Sequence, residues 1–307
     1  MEKAFFIAPF YVWILISYSL FGQCQGDKGL FKLLSSSRTG VDFKNSLDDT
    51  GAVNFMSHTY IYNGAGVAVG DIDNDGLDDI FFSGNMRSSR LYLNKGNLKF
   101  SDITSSSGVG DGNDEWATGA NMADVNGDGW LDLYVCYTNL NQPESRRNRL
   151  YINRQDGTFK DEAKEYGLDD NSYSVQSAFF DFDGDGDLDL YLLNYNSDHI
   201  PANEWENSKF KRDPYAGDKL YENRNGKFVD ISTAAGIKGT PLGYGLGVAV
   251  GDINGDSWPD IYVSNDFVEP DYLYINNRNG TFTELMSEYF QHISHFSMGS
   301  NLNDFNN

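Results

Sequence analysis

Gly66-Val-Ala-Val-Gly-Asp-Ile-Asp-Asn-Asp-Gly-Leu-Asp-Asp-Ile-Phe-Phe-Ser83 decides the reading of this chain, because it is written again three times. Its partners are Ala120 to Val135, Ala178 to Leu192 and Gly247 to Val263. Each copy joins two β-branched or aromatic runs through an aspartate-rich turn. Each is followed by a Leu-Tyr-x-Asn run ending at Asn94, Asn153, Asn223 or Asn276, and then by a short run carrying Phe100, Phe159, Phe228 or Phe282. Asp71, Asp124, Asp181, Asp252 and Asp304 open successive copies at intervals of roughly 50 to 70 residues. Four short strand-like runs per period is the composition of a propeller blade. The expected fold is therefore all-β, a β-propeller of four complete four-stranded blades plus the start of a fifth. Leu-Tyr-x-Asn, alternating apolar with polar, reads as a half-buried strand. Asn279-Gly280-Thr281 has the form of a glycosylation sequon, but its place between two strands in every copy makes it a hairpin turn.

The turns carry the chemistry. In the first copy Asp71, Asp73, Asp75 and Asp79 stand at positions 1, 3, 5 and 9, and Gly76 permits the bend that turns carboxylates inward. The other sets are Asp124, Asn126, Asp128 and Asp132; Asp181, Asp183, Asp185 and Asp189; and Asp252, Asn254, Asp256 and Asp260. Position 7 is Leu77, Trp130, Asp187 or Trp258, where a main-chain carbonyl adds a further oxygen. Two carboxylates about 5 Å apart repel by on the order of 3 kcal/mol at an effective dielectric near 20, so gathering four is costly without a cation. Ca²⁺ takes six to eight such hard oxygens. One Asp-Gly loop alone would be an ordinary turn; four at one register are not. An EF-hand needs glutamate at position 12, where this chain has Phe82, Val135, Leu192 or Val263, so that motif is rejected. Copies one and three, with four aspartates each, are expected to bind tightest. Copy four is expected to be weakest, because Ser257 replaces the bend glycine and Pro259 follows.

These loops and the Leu-Tyr-x-Asn runs resemble the FG-GAP/VCBS repeat family, the calcium-loop propellers also found in integrin α heads. More closely, the chain is similar to bacterial proteins related to cartilage acidic protein, which end in an ASPIC/UnbV domain. The resemblance covers about Gly64 to Asn307. It implies a ring of about seven blades, Ca²⁺ in the loop joining each blade's first two strands, and service as an extracellular binding or adhesion platform. Departures are Ser257 and the stop at Asn307 inside a fifth loop, which leads to the expectation that the chain is a piece of a longer product. Thr39 to Ser46, with Phe43 standing for the outer-strand phenylalanine, is expected to complete the last blade.

Composition fits an acidic, exported protein. The 307 residues carry 23 Lys and Arg against 45 Asp and Glu, a net charge of −22 that repels nucleic acid and anionic lipid and favours cations. With 40% hydrophobic and 15% aromatic residues the chain can build a core. Lys3 precedes an apolar run, Ala4 to Gly22, that reads as a signal peptide over residues 1–23. Residues 24–63 then form an N-terminal segment and 64–307 the blades. Cys24 stands where a bacterial lipoprotein carries its acylated cysteine, although Gln23 before it is bulky; an incidental cysteine is the alternative. Cys136, in an apolar strand, has no partner in the mature chain and reads as a small buried hydrophobe. An exported protein without disulfides needs another source of stability, and metal supplies one.

Enzyme chemistry finds little support. His58, His199, His292 and His295 form no His-Glu-x-x-His site, and no Gly-x-Ser-x-Gly elbow is present. The glycine string at Gly243 to Gly247 leads into a strand, not the helix a nucleotide loop requires. An insertion, Tyr195 to Gly217, joins strands two and three of the third blade and contains Trp205, Lys211, Arg212 and Tyr215; it is either a binding loop or a solvated excursion. The expected function is a non-catalytic, Ca²⁺-stabilised platform for an extracellular protein or glycan ligand, with no nucleic-acid partner. The alternatives are a polysaccharide-active enzyme using inserted loops, and a surface lipoprotein of an uptake complex.

Overall fold

Among the described residues sixteen strands form four antiparallel sheets, each of four strands paired in chain order. The computed structural model describes residues 31–51, 53–110, 116–138, 146–196 and 200–303. The signal segment 1–23, Cys24, His199 and the fifth loop at Asp304 lie outside the described residues. Blade one comprises β1 (Val67–Gly70), β2 (Asp79–Phe82), β3 (Arg90–Asn94) and β4 (Phe100–Asp102). Blade two has β5 (Ala117–Ala123), β6 (Asp132–Tyr137), β7 (Arg149–Asn153) and β8 (Phe159–Asp161). Blade three has β9 (Ser174–Phe180), β10 (Asp189–Asn194), β11 (Lys219–Asn223) and β12 (Phe228–Asp230). Blade four has β13 (Gly245–Gly251), β14 (Asp260–Asn265), β15 (Tyr272–Asn276) and β16 (Phe282–Glu284). The outer phenylalanines share one register, each opposite the asparagine that ends strand three. Among the described residues no helix is long and apolar enough to cross a membrane.

The blades stack face to face, so each interior sheet is buried on both sides. Strand two of blades two and three is buried at every residue, and so is β15. Leu-Tyr-x-Asn is therefore not half-buried as its alternation suggests. The leucine packs into one inter-blade core while the tyrosine turns to the blade before it. Tyr92 Oη donates to Asp42 at 2.8 Å, and Tyr221 Oη to Asp170 at 2.6 Å. Three apolar clusters fill the three gaps: Phe81 and Leu91 with Leu133 and Val135; Leu150 and Ile152 with Leu190 and Leu192; and Leu193 and Leu220 with Ile261 and Val263. Each fully buried leucine or phenylalanine contributes about 1.5–3 kcal/mol. Cys136 lies in the middle gap, fully buried, and burial pushes its thiol up to about 12.

First strands of successive blades touch one another. They come so close that only glycine fits at the crossing: a Cβ on Gly119 would lie 2.5 Å from the Val175 carbonyl oxygen. Side chains add cross-ties, with Thr118 Oγ1 donating to the Ser174 carbonyl at 2.8 Å and Asn121 Nδ2 to the Ser177 carbonyl at 2.6 Å.

Residues 42–48 of the N-terminal segment rest on blade one. Phe43 stacks on Phe82 with ring centroids 5.2 Å apart, and Asn45 and Asn85 bond each other through side chain and backbone. Phe43 does not take the outer-strand register. That register belongs to the residues just before it. After its outer strand each blade makes one helical turn, Thr104–Ser107, Ala163–Tyr166, Ser232–Ala235 or Met286–Tyr289. In the first three a left-handed glycine follows, its Cβ position 2.7–3.0 Å from the outer phenylalanine's carbonyl in the next blade. Ser36–Thr39 is the same turn, and Gly40, at φ 80°, stands against the Phe100 carbonyl in the same way. By this register Lys32 to Leu34 occupy the outer-strand places, and Leu33 there is 98% exposed.

Candidate metal centre

Every acidic loop hangs from one buried aspartate. Asp79, at position 9, is fully buried; its Oδ2 accepts the N–H of Ile72 at 3.0 Å and its Oδ1 the N–H of Asn94 at 2.6 Å. Asp132 repeats this with Val125 and Asn153, Asp189 with Phe182 and Asn223, and Asp260 with Ile253 and Asn276, all at 2.8–3.1 Å. The carboxylate thus staples the turn to the end of strand three. The Leu-Tyr-x-Asn asparagine completes the staple. Asn153 Nδ2 donates to the Leu131 carbonyl at 3.1 Å and, across the gap, to the Ile72 carbonyl of blade one at 2.8 Å. Asn276 makes the matching pair with Pro259 and with Phe182 of blade three. The alternation of Leu-Tyr-x-Asn marks these asparagines only as strand residues; their recurrence with the aspartates in every copy is the signal of this role.

Position 1 folds the bend. Asp71 accepts the N–H groups of Asp75 at 3.1 Å and Gly76 at 2.7 Å. Asp124 does so with Asp128 and Gly129, Asp181 with Gly184 and Gly186, and Asp252 with Gly255, Asp256 and Ser257. Position 5 holds position 7, as Asp75, Asp128, Asp185 and Asp256 accept the N–H of Leu77, Trp130, Asp187 and Trp258 at 2.9–3.0 Å. Gly76, Gly129 and Gly186 lie at φ 87°, 85° and 95°, and Ser257 is held in the same left-handed region at φ 70°. Neighbouring loops meet: Asn74 Nδ2 donates to the Gly129 carbonyl, and the Trp258 ring packs against Gly184.

The four loops then divide. In blades one and three, ligand oxygens of Asp71, Asp73 and Asp79, and of Asp181, Asp183 and Asp189, lie within 4.8 Å of one another. Asp73 Oδ1 and Asp187 Oδ1 are buried with no hydrogen-bond partner. Burial raises Asp79 to about 6, Asp189 to about 7 and Asp187 to about 6, the last helped by Asp185 beside it. Burial and then the neighbouring carboxylate also raise Asp73 and Asp183. Such groups resist ionising alone and favour a cation that removes the repulsion. An all-oxygen donor set with orphaned buried oxygens suits a hard divalent ion such as Ca²⁺.

Blades two and four answer their own charge. Asn126 Nδ2 donates to Asp128 at 3.2 Å, and Asn254 Nδ2 to Asp256 at 3.0 Å. Burial raises Asp132 to about 7. In blade four the Arg278 guanidinium reaches Asp256 at 2.7 Å, and this bond holds the carboxyl below its usual range. The sequence pattern gave no warning of Arg278, a turn residue from the next hairpin.

The insertion is tied inward more than its composition suggests. Arg212 donates to the Asp218 and Ile237 carbonyls at 2.9 and 2.6 Å, and Trp205 Nε1 to the Ile200 carbonyl at 2.9 Å. Phe210, which sequence reasoning passed over, is 93% exposed there. His292 and His295 are exposed, and among the described residues neither belongs to a metal-ligating group.

The FG-GAP-like repeat family matches residues 71–135, 138–192, 212–263 and 252–307. Cartilage acidic protein 1 of Xenopus tropicalis is 32% identical over 206 residues, covering 66% of this chain and 29% of that protein. The chain therefore spans less than a third of that relative's length. Among solved structures, a lectin of Agrocybe aegerita that recognises non-reducing terminal N-acetylglucosamine is 20% identical with a TM-score of 0.38, over 70% of this chain and 50% of its own. The V. cholerae biofilm matrix protein Bap1 is 17% identical with a TM-score of 0.33, over 71% and 38%. Likenesses this loose carry no argument about function.

Proposed function

The chain belongs to the FG-GAP-like repeat family, and from that premise we propose a non-catalytic, Ca²⁺-stabilised propeller segment that serves outside the cytoplasm as a platform for protein or glycan ligands. The observation that carries this reading is the pair of aspartate triads in blades one and three, each with a buried, unpartnered carboxylate oxygen in its loop. Asp71, Asp73, Asp75 and Asp79 would hold one ion, with Asp181, Asp183, Asp185, Asp187 and Asp189 holding the second. The sets containing Asn126 and Asn254 would bind more weakly, with the Arg278 loop last. A bound divalent ion supplies the charge that lets these carboxylates ionise together. The chain's own part is to pin position 9 to strand three, so that an ordered loop fixes the blade edge. A rigid stack of blades then presents its loops and strand ends to a ligand.

In this reading residues 1–23 direct export, 24–63 lead into blade one and 64–307 form the platform. Cys24 is a candidate lipid anchor, testable by labelling with a fatty-acid probe. The test of function is a capture screen of the protein against extracellular proteins and glycans, in Ca²⁺ and in chelator. Saturable capture that weakens in chelator is expected. Turnover of a polysaccharide, or no capture of either class, would contradict it.

A further inference from the structure

At the blade ends opposite the metal loops the first strands surround a cavity of about 550 Å³, within the about 300–1,000 Å³ typical of ligand sites. The segment before blade one forms one wall. Tyr60 packs edge-on to Tyr195 of blade three with ring centroids 5.3 Å apart, and its hydroxyl donates to Asp266 of blade four at 3.2 Å. Trp116, just ahead of β5, meets His58 at 5.1 Å. Tyr62 stands at the rim, 59% exposed.

The charge of the lining selects a ligand class. Lys, Arg, Asp and Glu make up 22% of the chain, yet among the described residues none of them lines this cavity. His58 is the one imidazole among the described lining residues, and burial lowers its pKa, which keeps it neutral. A described wall without formal charge gives neither cation nor anion a partner, in a chain whose net charge is −22. Aromatic faces provide flat apolar surface. Among the described residues the side-chain amides of Asn63 and Gln176, both in the lining, have no hydrogen-bond partner. Each offers a donor and an acceptor together. Flat aromatic faces beside uncommitted amides match a sugar ring, which shows C–H patches on its faces and hydroxyls at its edge.

We propose that this cavity binds the end of a neutral glycan, with Trp116 and Tyr62 as stacking faces and Asn63 and Gln176 as hydroxyl partners. The proposal rests on the platform reading above and names its site and ligand class. The test is calorimetric titration of the full chain in Ca²⁺ with short malto-, cello- and xylo-oligosaccharides, oligogalacturonate serving as the charged control. Binding of a neutral series is expected, weakened about tenfold or more by Trp116→Ala and by Gln176→Ala at unchanged melting temperature, and largely kept by Trp116→Phe. Absence of neutral binding, or equal binding of oligogalacturonate, overturns the ligand class. Glycan binding at full strength in both alanine variants overturns the site and leaves the platform reading standing. Capture of a neutral peptide and no glycan does the same for the ligand class, whereas capture of nothing removes both.

Discussion

Asp218→Asn should stabilise the protein at neutral pH, although it removes a charge from a fully hydrogen-bonded side chain. Asp218 stands at the head of β11, 6% exposed. Its Oδ1 accepts the N–H of Asn194 at 2.9 Å and its Oδ2 the hydroxyl of Tyr191 at 2.8 Å. Burial outweighs these bonds and pushes the carboxyl up to about 7. An unfolded aspartate titrates near 3.9. Between those values the native state binds more protons than the unfolded one, so this group's contribution is fully present below about pH 4 and is lost as pH rises through about 7. The loss amounts to on the order of 4 kcal/mol at most, at 1.36 kcal/mol per unit. Asparagine cannot ionise, yet it keeps an acceptor for Asn194 and gains a donor for Tyr191. Blade two already uses it: Asn148 accepts the N–H of Tyr137 at 2.8 Å and donates to Tyr134 at 3.0 Å. Urea unfolding of both proteins in saturating Ca²⁺, from pH 4.5 to 8, isolates the effect as a difference. The difference should be small at the acid end and reach about 1–4 kcal/mol in favour of the variant at pH 8. A variant equal to or weaker than the parent at pH 8, or a difference that does not change with pH, would refute the reasoning.

Asn153→Ala strips the bonds to Leu131 and Ile72 and should cost about 1–3 kcal/mol in urea unfolding. Asn94→Ala, whose side chain bonds only within blade one, should cost less. Ser257→Gly relieves a left-handed serine and should raise stability by about 1 kcal/mol, read as a higher urea midpoint. Asp183→Asn removes one carboxylate from the blade-three triad, and Ca²⁺ calorimetry should show one of the two tighter sites weakened and the other untouched.

Much of this fold was legible because its signals are local and repeated. The aspartate register, the hairpin turns and the outer phenylalanines each lie within a few residues of one another, and four copies average out chance. What the sequence hid depends on contacts between distant residues. Asp79 and Asn94 look like separate motifs until the N–H of one is seen against the carboxylate of the other. Phe43 in Thr39 to Ser46 resembles an outer-strand phenylalanine by composition, whereas the counterpart of a blade's tail is the turn ending at Gly40. That turn is identified by what Gly40 touches, the Phe100 carbonyl, and not by composition. Arg278 and the aromatic cavity share this character. Tyr60, Trp116 and Tyr195 occupy unrelated strand ends, and only the stacking of blades gathers them.

Calcium dependence of the melting temperature tests the central claim most directly. A site saturated at a hundred times its dissociation constant adds about 2.7 kcal/mol. For a domain of this size each kcal/mol moves the melting temperature by about 2–4 °C. The account predicts a rise of several degrees between EDTA and millimolar Ca²⁺, and most of it should vanish when Asp73 and Asp183 are both changed to asparagine. Melting curves that coincide in EDTA and Ca²⁺ would contradict it.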